Sequence, residues 1–223
     1  SAMTAVAIDG PAGAGKSTAA RAAAKRLGFV YVDTGAMYRA VGCRMRALGI
    51  AAGEVERVEQ ALEGLEVTIR FSNGEQRVLV NGEDVTGSIR TPDASRAASE
   101  FSALPCVRRF LFDLQQDLAK KNSVIMDGRD IGTVVLPWAQ VKIFLTASPE
   151  ERARRRFEEL KAKGEEVSYD EILSDMKERD YQDSHREIAP LRPAEDAVLL
   201  DSTGLTLDEV VERIASLVEA KRG

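Results

Sequence analysis

The sequence has few residues of the kinds that build disulfide scaffolds or metal centres, and no run that could form a membrane span. Its 223 residues include one histidine and two cysteines, Cys43 and Cys106, without metal-ligand spacing, which favours a reducing compartment. No apolar run approaches the roughly 20 residues that cross a bilayer. The first residues lack the basic segment and apolar core of a signal peptide, so we expect a cytoplasmic protein with no membrane partner.

Net positive charge is also missing. The formal net charge is −5, so nothing global points to nucleic acid, and we expect no nucleic-acid partner. Arginines are nevertheless concentrated locally, as in Arg152 and Arg154-Arg155-Arg156, which is what a small, highly anionic ligand would need. The alternative is a solvated helix, because Glu151 and Arg155 have the spacing of an i,i+4 ion pair.

Apolar runs alternate with helical stretches along most of the chain. Strands are predicted at residues 4–9, 29–32, 123–127, 141–145 and 197–200. Helices are predicted at 16–27, 37–48 and 107–121, and capping boxes open three more after Ser148, Ser168 and Thr206. Strand–helix–strand succession implies crossover helices, so we expect a doubly wound α/β fold with a parallel five-stranded sheet.

One segment interrupts this alternation. Residues 65–71 and 76–80 alternate apolar and polar side chains, and Ser72-Asn73-Gly74-Glu75 supplies a turn between them. This pattern predicts an antiparallel hairpin, so we expect a small inserted β subdomain within residues 65–90. Its contribution to function is not evident from the sequence.

A phosphate-binding loop follows the first strand. Residues 10–17 match G-x-x-x-x-G-K-[ST] at every fixed position and open a helix. The glycines let backbone N–H groups surround a phosphate, and the helix N-terminus adds positive charge. Lys16 is expected to reach the β- and γ-phosphates, and the Ser17 hydroxyl to ligate Mg²⁺. The predicted ATP-binding residues are Gly10, Pro11, Ala12, Gly13, Ala14, Gly15, Lys16, Ser17 and Thr18.

Such a loop occurs in several classes of protein. The sequence has no Asn-Lys-x-Asp segment of the kind that guanine-specific GTPases use, and the chain is short for an AAA module. A P-loop kinase of small molecules fits its size, its insert and its arginines. A non-catalytic nucleotide-dependent switch is the less favoured alternative. Asp127 ends an apolar strand, as Walker B aspartates do, and is proposed as a second group that organises Mg²⁺.

Seven segments together resemble the bacterial-type cytidylate kinases. They are Ile8–Thr18 (IDGPAGAGKST), Asp33–Arg39 (DTGAMYR), Ile89–Pro92 (IRTP), Asp127–Val135 (DGRDIGTVV), Lys142–Leu145 (KIFL), Lys177–Asp180 (KERD) and Asp201–Thr203 (DST). The resemblance covers essentially the whole chain. It implies transfer of the ATP γ-phosphoryl to CMP or dCMP with Mg²⁺, in pyrimidine nucleotide metabolism. A related kinase of UMP, AMP or shikimate is the alternative.

The resemblance also implies which residues bind the acceptor nucleotide. Thr34 stands where relatives carry a small hydroxyl residue, and Arg39 would hold the acceptor phosphate by a bidentate fork. Arg129 would face the acceptor. The base would be read by Ser99, Arg108 and Asp130. Asp130 can accept a hydrogen bond from the exocyclic amine of cytosine, which uracil lacks.

Three further acceptor residues lie in one predicted helical stretch. Arg179, Asp183 and Arg186 are spaced by four and three residues, so they are expected to share a face. The resemblance assigns Asp183 to the pentose hydroxyls and the two arginines to phosphate or ribose. A ladder of surface salt bridges is the alternative.

The resemblance implies three parts of one kinase domain, residues 3–223, and we expect a monomer. The parts are a core (3–34, 107–148 and 190–223), a nucleoside-monophosphate-binding part with the insert (about 35–106) and a helical lid (about 149–180). Lid closure would bring arginines over the transferring phosphate and exclude water. The predicted catalytic residues are Lys16, Arg129, Arg155 and Arg156, without a choice between the two lid arginines.

Overall fold

The computed structural model describes residues 3–222, so Gly223, where the predicted domain ends, lies outside the described residues. The described chain divides into two units. Phe29–Val124 belong to the first unit, and Thr4–Gly28 with the chain from Ile125 onward belong to the second. None of the helices in residues 3–222 combines the length and hydropathy that a bilayer crossing requires.

The five-stranded parallel sheet is present as predicted. Its strands, in chain order, are β1 (Ala5–Asp9), β2 (Val30–Asp33), β6 (Val124–Gly128), β7 (Val141–Thr146) and β8 (Val198–Asp201). The order across the sheet is β2-β6-β1-β7-β8. In the parallel ladders Val6 lies opposite Val141, and Ile143 lies opposite Val198. Every residue of β1 is buried, as is typical of strands covered on both faces.

The second unit carries four helices and one π-helical turn. They are α1 (Lys16–Leu27), the turn at Ile131–Val135, α6 (Pro149–Ala162), α7 (Tyr169–His185) and α8 (Leu207–Arg222). The three predicted helix starts are capped: the hydroxyls of Ser148, Ser168 and Thr206 accept N–H bonds from three residues later at 3.1, 3.3 and 3.1 Å. The reciprocal bond of a capping box is present at Thr206, whose N–H donates to Glu209 at 3.2 Å, whereas the Ser148 N–H donates to Thr203. The π-helical turn was not predicted, because its sequence lacks helical periodicity.

The first unit carries the other four helices. They are α2 (Thr34–Ala47), α3 (Val55–Glu63), α4 (Pro92–Phe101) and α5 (Pro105–Lys121). The predicted start of α2 at residue 37 is wrong by three residues, because the Asp33 carboxylate accepts a bond from the Ala36 N–H (3.3 Å) and caps the helix there. Likewise α5 starts at Pro105 rather than 107, since proline suits the first helical position.

The inserted β subdomain has the predicted hairpin and one additional strand. Strand β3 (Val67–Ser72) pairs antiparallel with β4 (Glu75–Val80), from Val67 opposite Val80 to Ser72 opposite Glu75. Asn73 and Gly74 form the turn with φ of 53° and 78°, which suits an Asn-Gly pair. The short strand β5 (Glu83–Asp84) extends the sheet beside β4.

Helix α2 packs against α4 at a position that has no room for a side chain. A Cβ on Gly42 would lie 2.8 Å from the carbonyl carbon and 2.9 Å from the Cβ of Ala97. Replacing a helical glycine with alanine normally adds about 1 kcal/mol of stability. Here the neighbouring atoms are mostly backbone and cannot turn aside, so overpacking, which costs about 1–3 kcal/mol, outweighs that gain.

We therefore predict that Gly42→Ala lowers the free energy of unfolding by up to about 2 kcal/mol, measured by urea denaturation. Gly64→Ala is the matched control, since no atom lies within 4 Å of a Cβ there and its φ is −97°. The control should change stability by less than about 0.5 kcal/mol. An equal effect of both substitutions would contradict the packing argument.

Candidate active site

The phosphate-binding loop, residues 10–17, joins β1 to α1 as the sequence predicts. A Cβ on Gly10 would lie 2.0 Å from the carbonyl oxygen of Leu145, so the loop leaves β1 directly against β7 and only glycine fits. Gly15 precedes α1 with a left-handed φ of 83°, a conformation that turns successive N–H groups into a concave anion site. The start of α1 completes the cradle.

Lys16 is folded back onto this loop. Its Nζ donates a hydrogen bond to the carbonyl oxygen of Pro11 (3.2 Å). Burial, followed by repulsion from Arg129, lowers the pKa of Lys16 to about 8, while Asp127 and Asp9 oppose the change. A bound triphosphate would supply the negative charge that this buried ammonium group lacks.

Arg152 of α6 contacts the backbone of the phosphate-binding loop. Arg152 is 3% exposed and donates to the carbonyl oxygens of Ala12 (3.1 Å) and Ala147 (2.9 Å). It also forms a bidentate pair with Asp180 of α7, at 3.1 and 2.6 Å. Because these bonds engage the Ala12 carbonyl, they support the loop shape in which N–H groups face a phosphate. Sequence reasoning gave Arg152 no specific role.

The remaining α6 arginines divide between the loop and the surface. Arg155 donates to the carbonyl oxygen (3.0 Å) and hydroxyl (3.2 Å) of Ser202 and reaches the Ala14 carbonyl at 3.5 Å. Arg156 pairs with Glu159 at 3.4 Å, and its side chain is 44% exposed. Arg154 pairs with Glu151 and Glu158 on the exposed face of α6. The solvated-helix alternative is therefore correct for Arg154, and the ion pair of Glu151 with Arg155 that it expects also forms, at 3.2 Å.

Asp9 is a site residue that the sequence reasoning missed. It ends β1, and its carboxylate accepts hydrogen bonds from the N–H groups of Ile131 and Gly132, both at 2.8 Å. Burial raises its pKa to about 6 despite these two bonds. Asp9 therefore fastens the turn that follows Arg129 and Asp130 to the strand that carries the phosphate-binding loop. A carboxylate at the last position of a buried strand was the available signal.

The strand β6 and helix α7 bring two arginines and a carboxylate together. Arg129 donates from Nε to Asp183 at 2.7 Å, and Asp183 is 8% exposed. Arg179 has a buried Nε without a hydrogen-bond partner among residues 3–222, and burial followed by repulsion from Arg129 lowers its pKa to about 10. A buried donor of this kind is normally satisfied, so Arg179 points to an anionic ligand.

The prediction that Arg186 shares a helix face with Arg179 and Asp183 is wrong in one respect. Helix α7 ends at His185, and Arg186 is the extended residue that follows it, with φ −70° and ψ 146°. The chain turns there because the Leu191 N–H bonds to the carbonyl oxygen of Asp183 (2.8 Å). The Nε of Arg186 donates to the Ala189 carbonyl oxygen at 2.8 Å within that turn.

Four predicted acceptor residues lie in the first unit. Thr34 is buried at the start of α2, and Ser99 is exposed on α4. Arg39 pairs with Asp33, with 3.2 Å between Nη2 and Oδ2. Arg108 donates to the carbonyl oxygen of Ser102 (2.9 Å) and lies over the ring of Tyr38, 5.3 Å from its centroid. Arg39 and Arg108 are thus both held in place, one by an ion pair and the other by a backbone bond and an aromatic face.

A comparison of the sequence with models of protein families identifies the family of this chain. The family model described as cytidylate kinase matches residues 6–220. This chain belongs to the cytidylate kinase family. The resemblance found in the sequence is thereby confirmed.

Relatives in the cytidylate kinase family match the chain over nearly its full length. The cytidylate kinase of Caldicellulosiruptor saccharolyticus is 54% identical over 212 residues, 95% of this chain and 94% of the relative. That of Carboxydothermus hydrogenoformans is 51% identical and covers 97% of both chains. A crystal structure of an uncharacterized protein from Eubacterium ventriosum superposes with a TM-score of 0.54 at 12% identity, covering 98% and 99% of the two chains. That similarity shows the fold alone.

The raised pKa of Asp9 generates a prediction about stability. In the folded chain this pKa is about 6 instead of 3.8, so the folded state takes up a proton as the pH falls through 6. The stability due to this proton is complete below the unfolded pKa and is lost as the pH rises through 6. Asp9→Asn has no such proton, so wild type should gain about 1 kcal/mol over the variant between about pH 7 and about pH 5.

The measurement is urea denaturation of both proteins at the two pH values. Asp9→Asn is also expected to be less stable at every pH, because an amide has one acceptor atom for two N–H groups. The pH dependence of the difference is therefore the informative quantity. A constant difference would mean that Asp9 does not titrate in this range.

Proposed function

We propose that this protein transfers the γ-phosphoryl group of ATP to CMP or dCMP. The observation that carries the proposal is membership of the cytidylate kinase family over residues 6–220, with about half of all positions identical to named cytidylate kinases. A UMP, AMP or shikimate kinase and a non-catalytic switch are not favoured. The cytoplasmic location and the monomeric state expected from the sequence stay predictions.

The geometry of the phosphate-binding loop supports ATP as the donor. We assign the triphosphate to residues 10–18, with Lys16 at the β- and γ-phosphates. The lysine lies beside the loop, and desolvation followed by repulsion from Arg129 lowers its pKa, so a bound triphosphate would favour its charged form. Arg155, with Arg152 beside it on α6, approaches the same loop, so of the two lid candidates Arg155 is better supported than the half-exposed Arg156.

Acceptor contacts are assigned in each unit separately. In the first unit we assign Arg39 and Arg108 as cationic contacts and Thr34 and Ser99 as hydroxyl contacts. In the second unit, we assign Arg129, Asp130, Arg179, Asp183 and Arg186. The support from geometry is the partnerless Nε of Arg179 and the pairing of Arg129 with Asp183, whose carboxylate is also suited to ribose hydroxyls.

The residues at the loop fit a magnesium ion of the kind that kinases use. No group of three His, Cys, Asp or Glu side chains able to hold a metal occurs in the described part of the chain. Mg²⁺ in such sites needs few protein ligands, because water and substrate phosphates supply the others. Ser17 is exposed at the start of α1, and Asp127 is a buried carboxylate in β6 near Lys16. Bound there, Mg²⁺ would neutralise phosphate charge.

The chemistry then needs positioning and charge stabilisation rather than a general base. The phosphate oxygen of CMP is already anionic near neutral pH and attacks the γ-phosphorus in line. Lys16, Arg129 and a lid arginine would stabilise the charge that develops on the transferred group. The lid role of residues 149–180, and closure of that segment, belong to the same proposal.

Lys16→Ala tests the donor side. We expect kcat to fall about 100- to 1000-fold, because one preorganised charge on the transferring phosphate is lost, while the fold is retained. Lys25→Ala, an exposed lysine in the last turn of the same helix, is the matched control and should be fully active. Formation of CDP from ATP and CMP in a coupled assay is the measurement. Undiminished turnover in Lys16→Ala would remove Lys16 from the mechanism.

Asp130→Asn tests recognition of the base. The carboxylate is expected to accept a hydrogen bond from the cytosine amine, so its conversion to an amide should lower the kcat/KM ratio of CMP over UMP by about tenfold or more. Asp113→Asn, an exposed aspartate of α5, makes the same chemical change and should keep the wild-type ratio. An unchanged ratio in Asp130→Asn would show that other residues read the base.

A further inference from the structure

The inserted β subdomain makes a side-chain contact with the end of strand β2. Gln76 lies on β4, and its amide oxygen accepts a hydrogen bond from the Asp33 N–H at 3.1 Å. Its amide nitrogen donates to the Asp33 carbonyl oxygen, also at 3.1 Å. One side chain thus satisfies both backbone groups of a single residue, as a paired strand would.

The residue that Gln76 holds is also the partner of Arg39. The Asp33 carboxylate accepts from the Ala36 N–H at 3.3 Å and pairs with Nη2 of Arg39 at 3.2 Å. Because the Asp33 backbone is fixed on both of its polar groups, its carboxylate has little freedom to move. The position of the Arg39 guanidinium is therefore set from β4, through Asp33.

A second contact fixes the same guanidinium through another nitrogen. Arg39 donates from Nε to the carbonyl oxygen of Ile89 at 3.0 Å. Ile89 follows the last strand of the insert, is 2% exposed, and is tied back to Val85 by its own N–H bond at 3.2 Å. Arg39 is thus held by one residue before the insert and one residue at its end.

The ion pair lies close to the backbone of Gly35. A Cβ on Gly35 would lie 3.1 Å from Oδ1 of Asp33 and 3.2 Å from Nη1 of Arg39. A side chain at position 35 would crowd both the carboxylate and the guanidinium, so glycine suits this close approach. An arginine fixed in advance loses less conformational freedom when it binds a phosphate.

We propose that the insert positions the arginine that binds the acceptor phosphate. Gln76 is a positioning residue that acts through Asp33 to hold Arg39 in the orientation that binds the phosphate of the acceptor nucleotide. This inference rests on the proposed function, since it takes Arg39 as a contact of the acceptor phosphate. It gives a role to residues 65–90, which the sequence left unexplained.

Two substitutions remove one or both bonds of this contact without changing the length of the side chain. Gln76→Glu keeps an acceptor for the Asp33 N–H but places a carboxylate oxygen against the Asp33 carbonyl oxygen. Gln76→Met removes both bonds. We expect the KM for CMP to rise by roughly 3- to 10-fold in each variant, while kcat and the KM for ATP change by less than about twofold. An unchanged KM for CMP, or an equal rise in both KM values, overturns the proposal.

Arg77→Ala is the matched control on the same strand. Arg77 pairs with Asp84 within the insert at 2.8 Å, so its removal loosens the β4–β5 pairing and leaves the Gln76 contact in place. We expect the KM for CMP to stay at the wild-type value. If Arg77→Ala raised it as much as Gln76→Met does, loss of the insert's own stability would be the cause, and the proposal would be wrong.

A double-mutant cycle tests whether Gln76 acts through Arg39. In an Arg39→Lys background Asp33 and Gln76 have no guanidinium to position, so Gln76→Met should weaken CMP binding by less than about twofold. The same loss in both backgrounds would show that Gln76 acts by another route and would overturn the proposal. The quantity measured is the Kd of CMP, by calorimetry without ATP.

That binding measurement separates this inference from the proposed function. If the wild-type protein binds CMP but makes no CDP, the proposed function fails and the Kd values still judge Gln76. If it makes CDP and the cycle shows no coupling, the inference alone fails. If the wild-type protein does not bind CMP, both fail.

Discussion

In the second unit, Arg129 disfavours the charge of two other cationic side chains, Lys16 and Arg179. Burial is the largest cause of the lowered pKa of Lys16 and of Arg179, and repulsion from Arg129 is the next in each case. When no phosphate is bound, such a cluster of positive charges needs negative charge from neighbouring side chains. The carboxylates of Asp9, Asp127 and Asp183 partly offset it, and a highly anionic substrate would complete the balance.

Aspartates that end strands organise the turns that follow them. Asp9 ends β1 and binds two N–H groups of the turn that follows Asp130, whereas Asp33 ends β2 and binds the first turn of α2 and Arg39. In both cases a short side chain binds backbone N–H groups that would otherwise lack a partner. The strands therefore fix both the position of the loops and the direction of the functional groups on them.

Features set by local sequence could be predicted, and features set by distant contacts could not. The phosphate-binding loop, the hairpin at residues 65–80 and the helix caps depend on residues a few positions apart, and all three were predicted. Arg152 and Asp180 are 28 positions apart in the sequence, and Asp9 and Ile131 are 122 positions apart. No sequence periodicity predicts contacts over such separations. The start of α2 was predicted wrongly for another reason. Asp33, which ends β2, was placed in a loop, whereas it caps the helix.

Three cationic side chains, one from the loop and two from α6, contact the backbone of the phosphate-binding loop. Lys16 donates to the Pro11 carbonyl, Arg152 to the Ala12 carbonyl, and Arg155 reaches the Ala14 carbonyl. Since these contacts engage carbonyl oxygens along the loop, they do not use the loop N–H groups, and a triphosphate bound as we propose would replace only the lysine contact.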